Sequence, residues 1–276
     1  MKGLTVLAYH RVHPERRGAL CVTSAELERQ LRTLIHRGLR PISGQELVRA
    51  LDAPDATANA PLSATTGTQR WRIPPRFPGS ASFLVTFDDG YADFARHAWP
   101  VLKRLGVPAV VFLIHDWIGR REPFPWESKY NPRPGSQDLP LDWAEVAGLR
   151  AEGCEFGSHT RRHPDLLTLD GEGSHEEIAA SRRKLMERLG IEVPLFCYPR
   201  GQYSVSLAEE VERSGYRAAL LTPRRAGLGE HRFCVRRVGV YAADRGWRYR
   251  IKLSPLFDML REARLRWNPP RRDCCS

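Results

Sequence analysis

Ser82-Phe-Leu-Val-Thr-Phe-Asp-Asp-Gly90 is the stretch from which the fold of this chain can be deduced. Its first six residues are mainly apolar, β-branched or aromatic, which is typical of a strand buried on both faces of a sheet. The strand ends in two adjacent carboxylates, Asp88 and Asp89. Two like charges at the end of an apolar strand are costly unless a cation neutralises them, and a divalent metal would do so. The alternative interpretation is a polar turn, which Asp-Asp-Gly also suits.

Similar strand patterns recur along the chain and alternate with amphipathic helices. Strands are predicted at 4–9, 40–42, 82–87, 108–114, 154–156, 195–198, 217–221 and 235–241. Capping boxes predict the starts of four of the helices, at Thr23, Ser43, Asp142 and Ser174. Short strands that alternate with helices predict a parallel sheet, and this number of strands favours a closed or nearly closed β/α barrel. An open, doubly wound sheet is the alternative.

The predicted barrel is a single α/β domain over residues 1–243, with two loop insertions. Residues 52–80 are rich in Ala, Pro, Thr, Ser and Gly, residues 117–140 are rich in Pro, Trp and Tyr, and neither segment has strand or helical periodicity. Residues 244–276 are predicted to form a basic, aromatic C-terminal helix and tail. Such a helix can lie on anionic lipid, so peripheral membrane contact through 244–267 is one hypothesis. The other is a terminal helix that packs on the barrel and exposes a solvated face.

Charge and composition narrow the expected partners and location. Lys and Arg number 43 against 32 acidic residues, for a net charge of +11. The cations are scattered and no nucleic-acid-binding motif accompanies them, so no nucleic-acid partner is expected. The apolar run before His10 is too short for a signal peptide, and no run approaches the roughly 18 residues of a membrane span. We therefore expect a cytoplasmic protein with free cysteines, peripheral at the inner membrane face if the C-terminal helix binds lipid.

Polar side chains follow most of the long predicted strands. They include His10, Asp88, Asp89, His159, His163 and the turn at 198–203. In a β/α barrel these positions share one rim, where active sites are built. One carboxylate and the two imidazoles of the pair spaced four residues apart would make a catalytic metal site with open positions. Its ligand types suit Zn²⁺ best and are also compatible with Co²⁺, Ni²⁺ or Fe²⁺. The second carboxylate is then free to take a proton from water activated by the metal, as in hydrolysis of a carbonyl compound.

Two motifs in this pattern resemble those of a known family. Thr86-Phe-Asp-Asp-Gly90 followed by Ser158-His-Thr-Arg-Arg-His163 is similar to the polysaccharide deacetylases of the NodB-homology type, carbohydrate esterase family 4. Stretches at 7–12, 141–143 and 196–201 match in order and spacing, so the resemblance covers most of residues 4–241. It implies a distorted (β/α)₇ barrel and metal-dependent removal of acetyl groups, usually N-acetyl groups of amino sugars. The partner it implies is a glycan or glycolipid with N-acetylhexosamine units, as in exopolysaccharide biosynthesis.

The resemblance also implies roles for individual residues. Asp88 matches the general base, and Asp89, His159 and His163 match the metal ligands. The turn around Arg200 matches the motif that stabilises the oxyanion, in which a backbone N–H helps to hold the tetrahedral intermediate.

The chain departs from the family pattern in three ways. Arg200 replaces the usual tyrosine of the oxyanion turn, which leaves a backbone donor there unaffected. Cys197 stands where many members have the arginine that orients the base, which leaves the partner of Asp88 open. The late histidine that supplies a general acid is missing from 236–241. His10, on the predicted rim, is the substitute that we assign, and its alternative role is that of a packed histidine ending the first strand.

Three functions are compatible with this pattern. The main hypothesis is N-deacetylation of N-acetylhexosamine units in a polysaccharide, oligosaccharide or glycolipid precursor. The same barrel could instead carry an O-acetyl esterase or a hydrolase of small amides. The altered positions 197 and 200 and the missing late histidine also allow a catalytically degenerate homologue that only binds glycans.

Overall fold

A parallel sheet curls into a nearly closed barrel surrounded by helices, as predicted for a distorted (β/α)₇ fold. The computed structural model describes residues 3–15, 18–53, 81–130, 138–223 and 231–267. Most of the first predicted insertion, 52–80, therefore lies outside the described residues, as does the tail after residue 267.

The barrel contains nine of the eleven strands that the structure describes, and all pairs of neighbouring strands described in it are parallel. The strands are β1 (Leu4–Tyr9), β2 (Arg11–Val12), β3 (Cys21–Val22), β4 (Arg40–Pro41), β5 (Ser82–Phe87), β6 (Ala109–Leu113), β7 (Glu155–Ser158), β8 (Leu195–Cys197), β9 (Ala218–Leu221), β10 (Val235–Arg236) and β11 (Val238–Gly239). Their order is β10-β9-β8-β7-β6-β5-β1-β11, with β4 added beside β5. Strands β2 and β3 form a separate parallel pair.

The prediction of one strand over 235–241 is wrong, and the correction explains how the barrel closes. This segment forms two short strands that pair with opposite ends of the sheet, β10 with β9 and β11 with β1. Only Arg237 lies between them, and its backbone N–H donates to the Leu221 carbonyl at 2.9 Å. The chain therefore crosses the seam of the barrel itself, and β10 and β11 together fill the seventh strand position.

The helices pack around this sheet. They are α1 (Ser24–His36), α2 (Gly44–Asp52), α3 (Trp99–Leu105), α4 (Glu127–Tyr130), α5 (Trp143–Ala151), α6 (Gly171–Leu189), α7 (Val205–Arg213), α8 (Trp247–Lys252) and α9 (Pro255–Trp267). A π-helical segment, Phe94–Ala98, precedes α3. No helix within the described ranges is both long and apolar enough to cross a bilayer.

Three of the four predicted capping boxes are present, at Thr23, Ser43 and Asp142. The fourth, at Ser174, is wrong, because α6 begins three residues earlier at Gly171. Asp170 is the N-cap instead, and its carboxylate accepts the Gly173 N–H at 2.8 Å. A good cap offsets the poor helix propensity of the two glycines in the first turn.

Alternate residues of the strands divide the core into two layers. One layer lies between the sheet and the helices and includes Leu7, Val85 and Val111. The other fills the barrel and includes Leu84, Val110, Phe112 and Leu195. The start of α2 packs against this inner layer so closely that a Cβ on Gly44 would lie 2.7 Å from Val110 Cγ2. Side chains two residues apart on a strand point to the same face, so Asp88 points to the same inner face as Leu84. Asp88 therefore lies at the end of the barrel interior.

Candidate active site

Three of the predicted site residues converge at the ends of β5 and β7. Asp89 Oδ1 lies 3.5 Å from His159 Nε2 and 3.8 Å from His163 Nε2. The three donor atoms all lie within 4.8 Å of one another. Separations of this size are those expected of ligands that share one tetrahedral cation with bonds of about 2.0–2.2 Å.

The two loops that carry these donors, and the turn after β8, contain strained backbone. The four non-glycine residues with positive φ in the described ranges are Asp89, Thr160, His163 and Arg200. Their φ values lie between 57° and 71°, a region that non-glycine residues rarely occupy. Such residues cluster at functional sites, where the surrounding structure offsets the cost. Here the Thr160 hydroxyl supports the loop, because it accepts the His163 N–H at 2.9 Å.

Hydrogen bonds fix how His159 faces the site. Its backbone N–H donates to Leu113 O at 2.8 Å, and its Nδ1 lies 2.7 Å from Cys197 O. A carbonyl can only accept, so Nδ1 carries the proton and Nε2 presents a lone pair toward Asp89. Burial lowers the pKa of His159 to about 4, which keeps the imidazole neutral near pH 7. A neutral imidazole oriented by a carbonyl is the form that binds metals.

The two adjacent aspartates differ in their electrostatic environment. Burial alone would raise the pKa of Asp88, but the charge of Arg237 and its hydrogen bonds outweigh that effect and lower it. The pKa of Asp89 is raised well above its ordinary value by burial and by the charges of Asp88 and Glu127. Asp88 therefore has a protein cation beside it, whereas Asp89 faces two neutral imidazoles. The donor set around Asp89 fits a divalent cation, which would supply the positive charge that this carboxylate lacks.

The family model for polysaccharide deacetylases matches residues 78–219, which include all three donors and Asp88. The chain belongs to the polysaccharide deacetylase family. This confirms the resemblance deduced from the two motifs.

Individual relatives share parts of this sequence. A protein of Bacillus subtilis (strain 168), YxkH, which is assigned to the polysaccharide deacetylases, is 27% identical over 59% of this chain and 53% of its own length. A chitin deacetylase of Pestalotiopsis sp is 31% identical over 43% of this chain and 33% of its own length. The match thus spans about half of one curated relative and a third of the other.

Solved structures of deacetylases share the fold. The Streptococcus pyogenes deacetylase PplD, in complex with acetate, matches 91% of this chain and 98% of its own with a TM-score of 0.67 and 20% identity. IcaB from Ammonifex degensii matches 87% of this chain and 92% of its own with a TM-score of 0.62 and 28% identity. The first likeness concerns the fold alone.

Arg237 is a site residue that the sequence did not reveal. Its Nη1 and Nη2 donate to the two oxygens of Asp88 at 2.7 Å each, and only 2% of the residue is exposed. It also donates to the Thr86 hydroxyl at 3.0 Å and lies 3.0 Å from Cys197 Sγ. Arg237 therefore fills the partner role that the sequence left open when Cys197 replaced the family arginine. The pair Arg236-Arg237 was the feature of the sequence from which this partner of Asp88 could have been deduced, and it lies in the segment that lacks the expected histidine.

Trp126 is a second residue that the sequence analysis missed. It belongs to the 117–140 insertion, where its side chain hydrogen-bonds to Asp89. Its ring centroid lies 4.4 Å from that of His163. Trp126 thus contacts two of the three donors and forms one wall of the site. The segment gave no periodic signal from which this position could be deduced.

A buried ion cluster ties the same insertion to the barrel. Arg11 donates to Asp93 at 2.9 Å, to Glu127 at 2.5 Å and to Asp138. All four residues are at most 1% exposed. The Tyr91 hydroxyl also donates to Glu127 at 2.8 Å. Because Glu127 directly follows Trp126, the cluster holds the aromatic wall in place over the donors.

The two remaining predicted residues, His10 and Arg200, lie at the rim. His10 Nε2 is 3.9 Å from Asp88 Oδ2, and a fifth of its side chain is exposed. Burial lowers the pKa of His10, and the neighbouring Asp88 partly offsets this. Arg200 lies in the left-handed region with φ 57°. The pKa of His163 is lowered mainly by burial, next by the charge of His159 and then by the charge of Arg200. Gly201 follows Arg200 at a position where a Cβ would lie 2.0 Å from Thr222 O, so the turn requires glycine.

Proposed function

We propose that this protein is a metal-dependent hydrolase that removes N-acetyl groups from N-acetylhexosamine units of a polysaccharide, oligosaccharide or glycolipid precursor. The observation that carries the proposal is the pairing of two carboxylates with different partners. Asp88 forms a bidentate ion pair with Arg237, and Asp89 stands beside two neutral imidazoles.

In the proposed reaction Asp88 is the general base. A divalent cation held by Asp89, His159 and His163 would act as a Lewis acid toward the acetyl carbonyl and the attacking water, and Zn²⁺ suits these donors best. Asp88 accepts the proton of that water, and Arg237 keeps its carboxylate ionised and fixed in orientation.

His10 and Arg200 complete the proposal. His10 takes up the proton that Asp88 accepts from the water and passes it to the departing amine. Its support is its place on the open rim, 3.9 Å from the proposed base. The backbone N–H of Arg200 stabilises the oxyanion of the tetrahedral intermediate. Its support is the strained turn that carries Arg200 directly after β8, together with the effect of the Arg200 charge on the pKa of His163.

The proposed substrate class is supported by the name of one relative, a chitin deacetylase. Chitin is a polymer of N-acetylglucosamine, so that relative acts on the N-acetyl group of a hexosamine. An N-acetylglucosamine oligomer is therefore the first substrate to test.

Acetate release from such oligomers tests the proposal. The purified chain should release acetate, lose activity with a chelator and recover it with added Zn²⁺. The Asp88→Asn variant should lose turnover and keep its bound metal, whereas His159→Ala and His163→Ala should lose both. Asp170→Asn is the matched control, because Asn caps the start of α6 equally well and lies outside the site.

Two results would contradict the proposal. Undiminished activity in Asp88→Asn would exclude this residue as the base. Equal release of acetate from an O-acetylated glycan, with none from the N-acetylated one, would favour the esterase alternative.

A further inference from the structure

The exposed large apolar side chains of this protein are concentrated in one place. Among the described residues six such side chains are exposed, and five of them belong to α8 and α9. Those five are Trp247, Ile251, Met259, Leu260 and Trp267, with exposed fractions of 67%, 45%, 63%, 55% and 93%. Single exposed apolar residues are normal, but a cluster of this kind marks a contact surface.

Helix α8 has a buried side and an exposed apolar side. Tyr249 and the C-cap Leu253 are buried in the core. Trp247 and Ile251, four residues apart and on the opposite side, are exposed. Arg248 and Arg250 flank this exposed pair on either side and are exposed as well. The helix therefore presents an apolar strip edged by guanidinium groups.

Helix α9 repeats the arrangement. Met259, Ala263 and Trp267 recur every four residues, and Leu260 lies beside them. Arg264 and Arg266 flank this strip and are exposed. An ion pair between Arg236 of β10 and Glu262 attaches the helix to the barrel.

The charge around the apolar strips is positive. Residues 245–257 contain three arginines and one lysine and no acidic residue. A shallow cavity of about 590 Å³ opens at the start of α8, lined in part by Arg29, Arg245, Trp247 and Arg248. Arg245 is paired with Glu26 at 2.8 Å, whereas Arg248 lies over the Trp247 ring. An apolar strip edged by arginines, beside a cavity lined by arginines, is complementary to the acyl chains and anionic headgroups of a lipid surface.

We infer that the exposed faces of α8 and α9 form a docking surface for an anionic lipid bilayer. The apolar side chains enter the boundary between headgroups and acyl chains, and the arginines pair with headgroup phosphates. The protein lies on the bilayer and does not span it.

The position of α8 also bears on how a lipid-linked substrate would reach the site, and this part of the inference rests on the proposed function. Lys252 of α8 lies over the Tyr241 ring at 4.7 Å, and that ring is 6.3 Å from His10 at the rim. Two side-chain contacts therefore connect α8 with the rim of the active site. We expect a glycan attached to a lipid of the same bilayer to approach the site from this side.

Flotation with lipid vesicles tests the inference without any need for catalysis. The full-length chain should float with vesicles of phosphatidylcholine and phosphatidylglycerol and not with phosphatidylcholine alone. Added salt should weaken the binding, because it screens the headgroup charges. The double variant Trp247→Ala, Trp267→Ala should bind at least about tenfold more weakly, since both indoles leave the apolar strips. Arg248→Gln and Arg250→Gln should each weaken binding by about fivefold.

Matched controls come from elsewhere on the surface. Leu167→Ala removes the one exposed large apolar side chain outside α8 and α9 in the described ranges, and Arg183→Gln removes an exposed arginine of α6. Both controls should bind as the wild type does. All of these variants should release acetate from a soluble oligomer at the wild-type rate, because none of the substituted residues contacts the site.

Three outcomes would overturn the inference. One is failure of the wild type to float with anionic vesicles at low salt. Another is equal loss of binding in the control variants. The third is a dimer in solution that the Trp247→Ala, Trp267→Ala variant dissociates, since a second copy would then be the occupant. Vesicle binding without acetate release would instead retain the docking surface and reject the proposed chemistry.

Discussion

Two arginines are the largest fully buried side chains in the described part of the protein, and they serve different ends. Arg237 binds one carboxylate, Asp88, through two equal hydrogen bonds inside the barrel. Arg11 binds three carboxylates, those of Asp93, Glu127 and Asp138, outside the strands that form the barrel.

The difference lies in the balance of charge. The pair at Arg237 is neutral, so the pKa of Asp88 falls and its carboxylate stays ionised. The cluster at Arg11 has three acids for one cation, and burial, which Arg11 only partly offsets, raises the pKa of Asp93 to about 6. Arg237 thus keeps a single carboxylate ionised, whereas Arg11 holds together three carboxylates from separate segments of the chain.

Removal of Arg237 should have the largest effect on catalysis. In Arg237→Gln the buried Asp88 loses its cation, takes up a proton and no longer serves as a base, so kcat should fall by about 10²-fold or more. The acidic limb of the rate profile should move to higher pH, because the pKa of Asp88 rises. Stopped assays of acetate release from pH 5 to 9 would measure both effects.

The neighbouring residue provides the control for this experiment. Arg236→Gln breaks an ion pair with Glu262 at the barrel surface and should change kcat by less than about threefold. Circular dichroism would verify that both variants fold. An Arg237→Gln protein with the wild-type pH profile would contradict the assigned role.

Removal of Arg11 should affect stability more than chemistry. Arg11→Met leaves three buried carboxylates without their cation, which should lower the free energy of unfolding by about 3–5 kcal/mol. Urea denaturation would measure the loss. Arg32→Met breaks an exposed pair with Glu28 and should cost less than about 1 kcal/mol. Equal unfolding midpoints for the two variants would mean that the cluster does not join the segments.

The pH dependence of stability should identify Asp93 as the member of the cluster whose ionised form is disfavoured by burial. Its pKa is raised from 3.8 to about 6 in the folded state, so its contribution to stability is full below pH 4 and is lost as the pH rises through 6. The stability of the wild type relative to Asp93→Asn should therefore decrease between pH 4 and 6.5, by at most about 3 kcal/mol. Denaturation curves across this range test it, and a constant or increasing difference would show that the carboxylate is ionised throughout.

Trp126 should give the smallest of these effects, on metal affinity. Trp126→Phe keeps an aromatic ring beside His163 but loses the N–H that binds Asp89, so Zn²⁺ affinity should fall by about tenfold. Competition with a chromophoric chelator would measure it. Trp117→Phe is the control, because Trp117 belongs to the same aromatic cluster and packs on Trp126. Equal affinities would assign Trp126 to packing alone.

The sequence predicted those parts of the molecule that depend on local patterns. The strand that ends in Asp88 and Asp89 and the capping boxes at Thr23, Ser43 and Asp142 each follow from a few neighbouring residues. The barrel follows from repetition of such patterns, and the rim follows from the rule that parallel strands end on one side. The meeting of Asp89 with His159 and His163 needed only these steps.

The parts that the sequence did not reveal depend on contacts between distant segments. Arg237 reaches Asp88 across 149 positions, and it does so because a predicted single strand divides at the seam. Trp126 and Asp138 lie in a segment without periodicity, so neither pattern nor propensity could place them. The start of α6 was missed for a different reason, since two glycines concealed a helix that Asp170 caps.

The division of the last strand makes the surroundings of Asp88 depend on closure of the barrel. Arg237 reaches the proposed base only when β10 has joined one edge of the sheet and β11 the other. A chain with an open barrel, or with this segment shifted by one residue, would turn the guanidinium away and leave Asp88 without its counter-ion. The counter-ion of Asp88 is therefore in place only in a chain whose barrel is closed by both short strands.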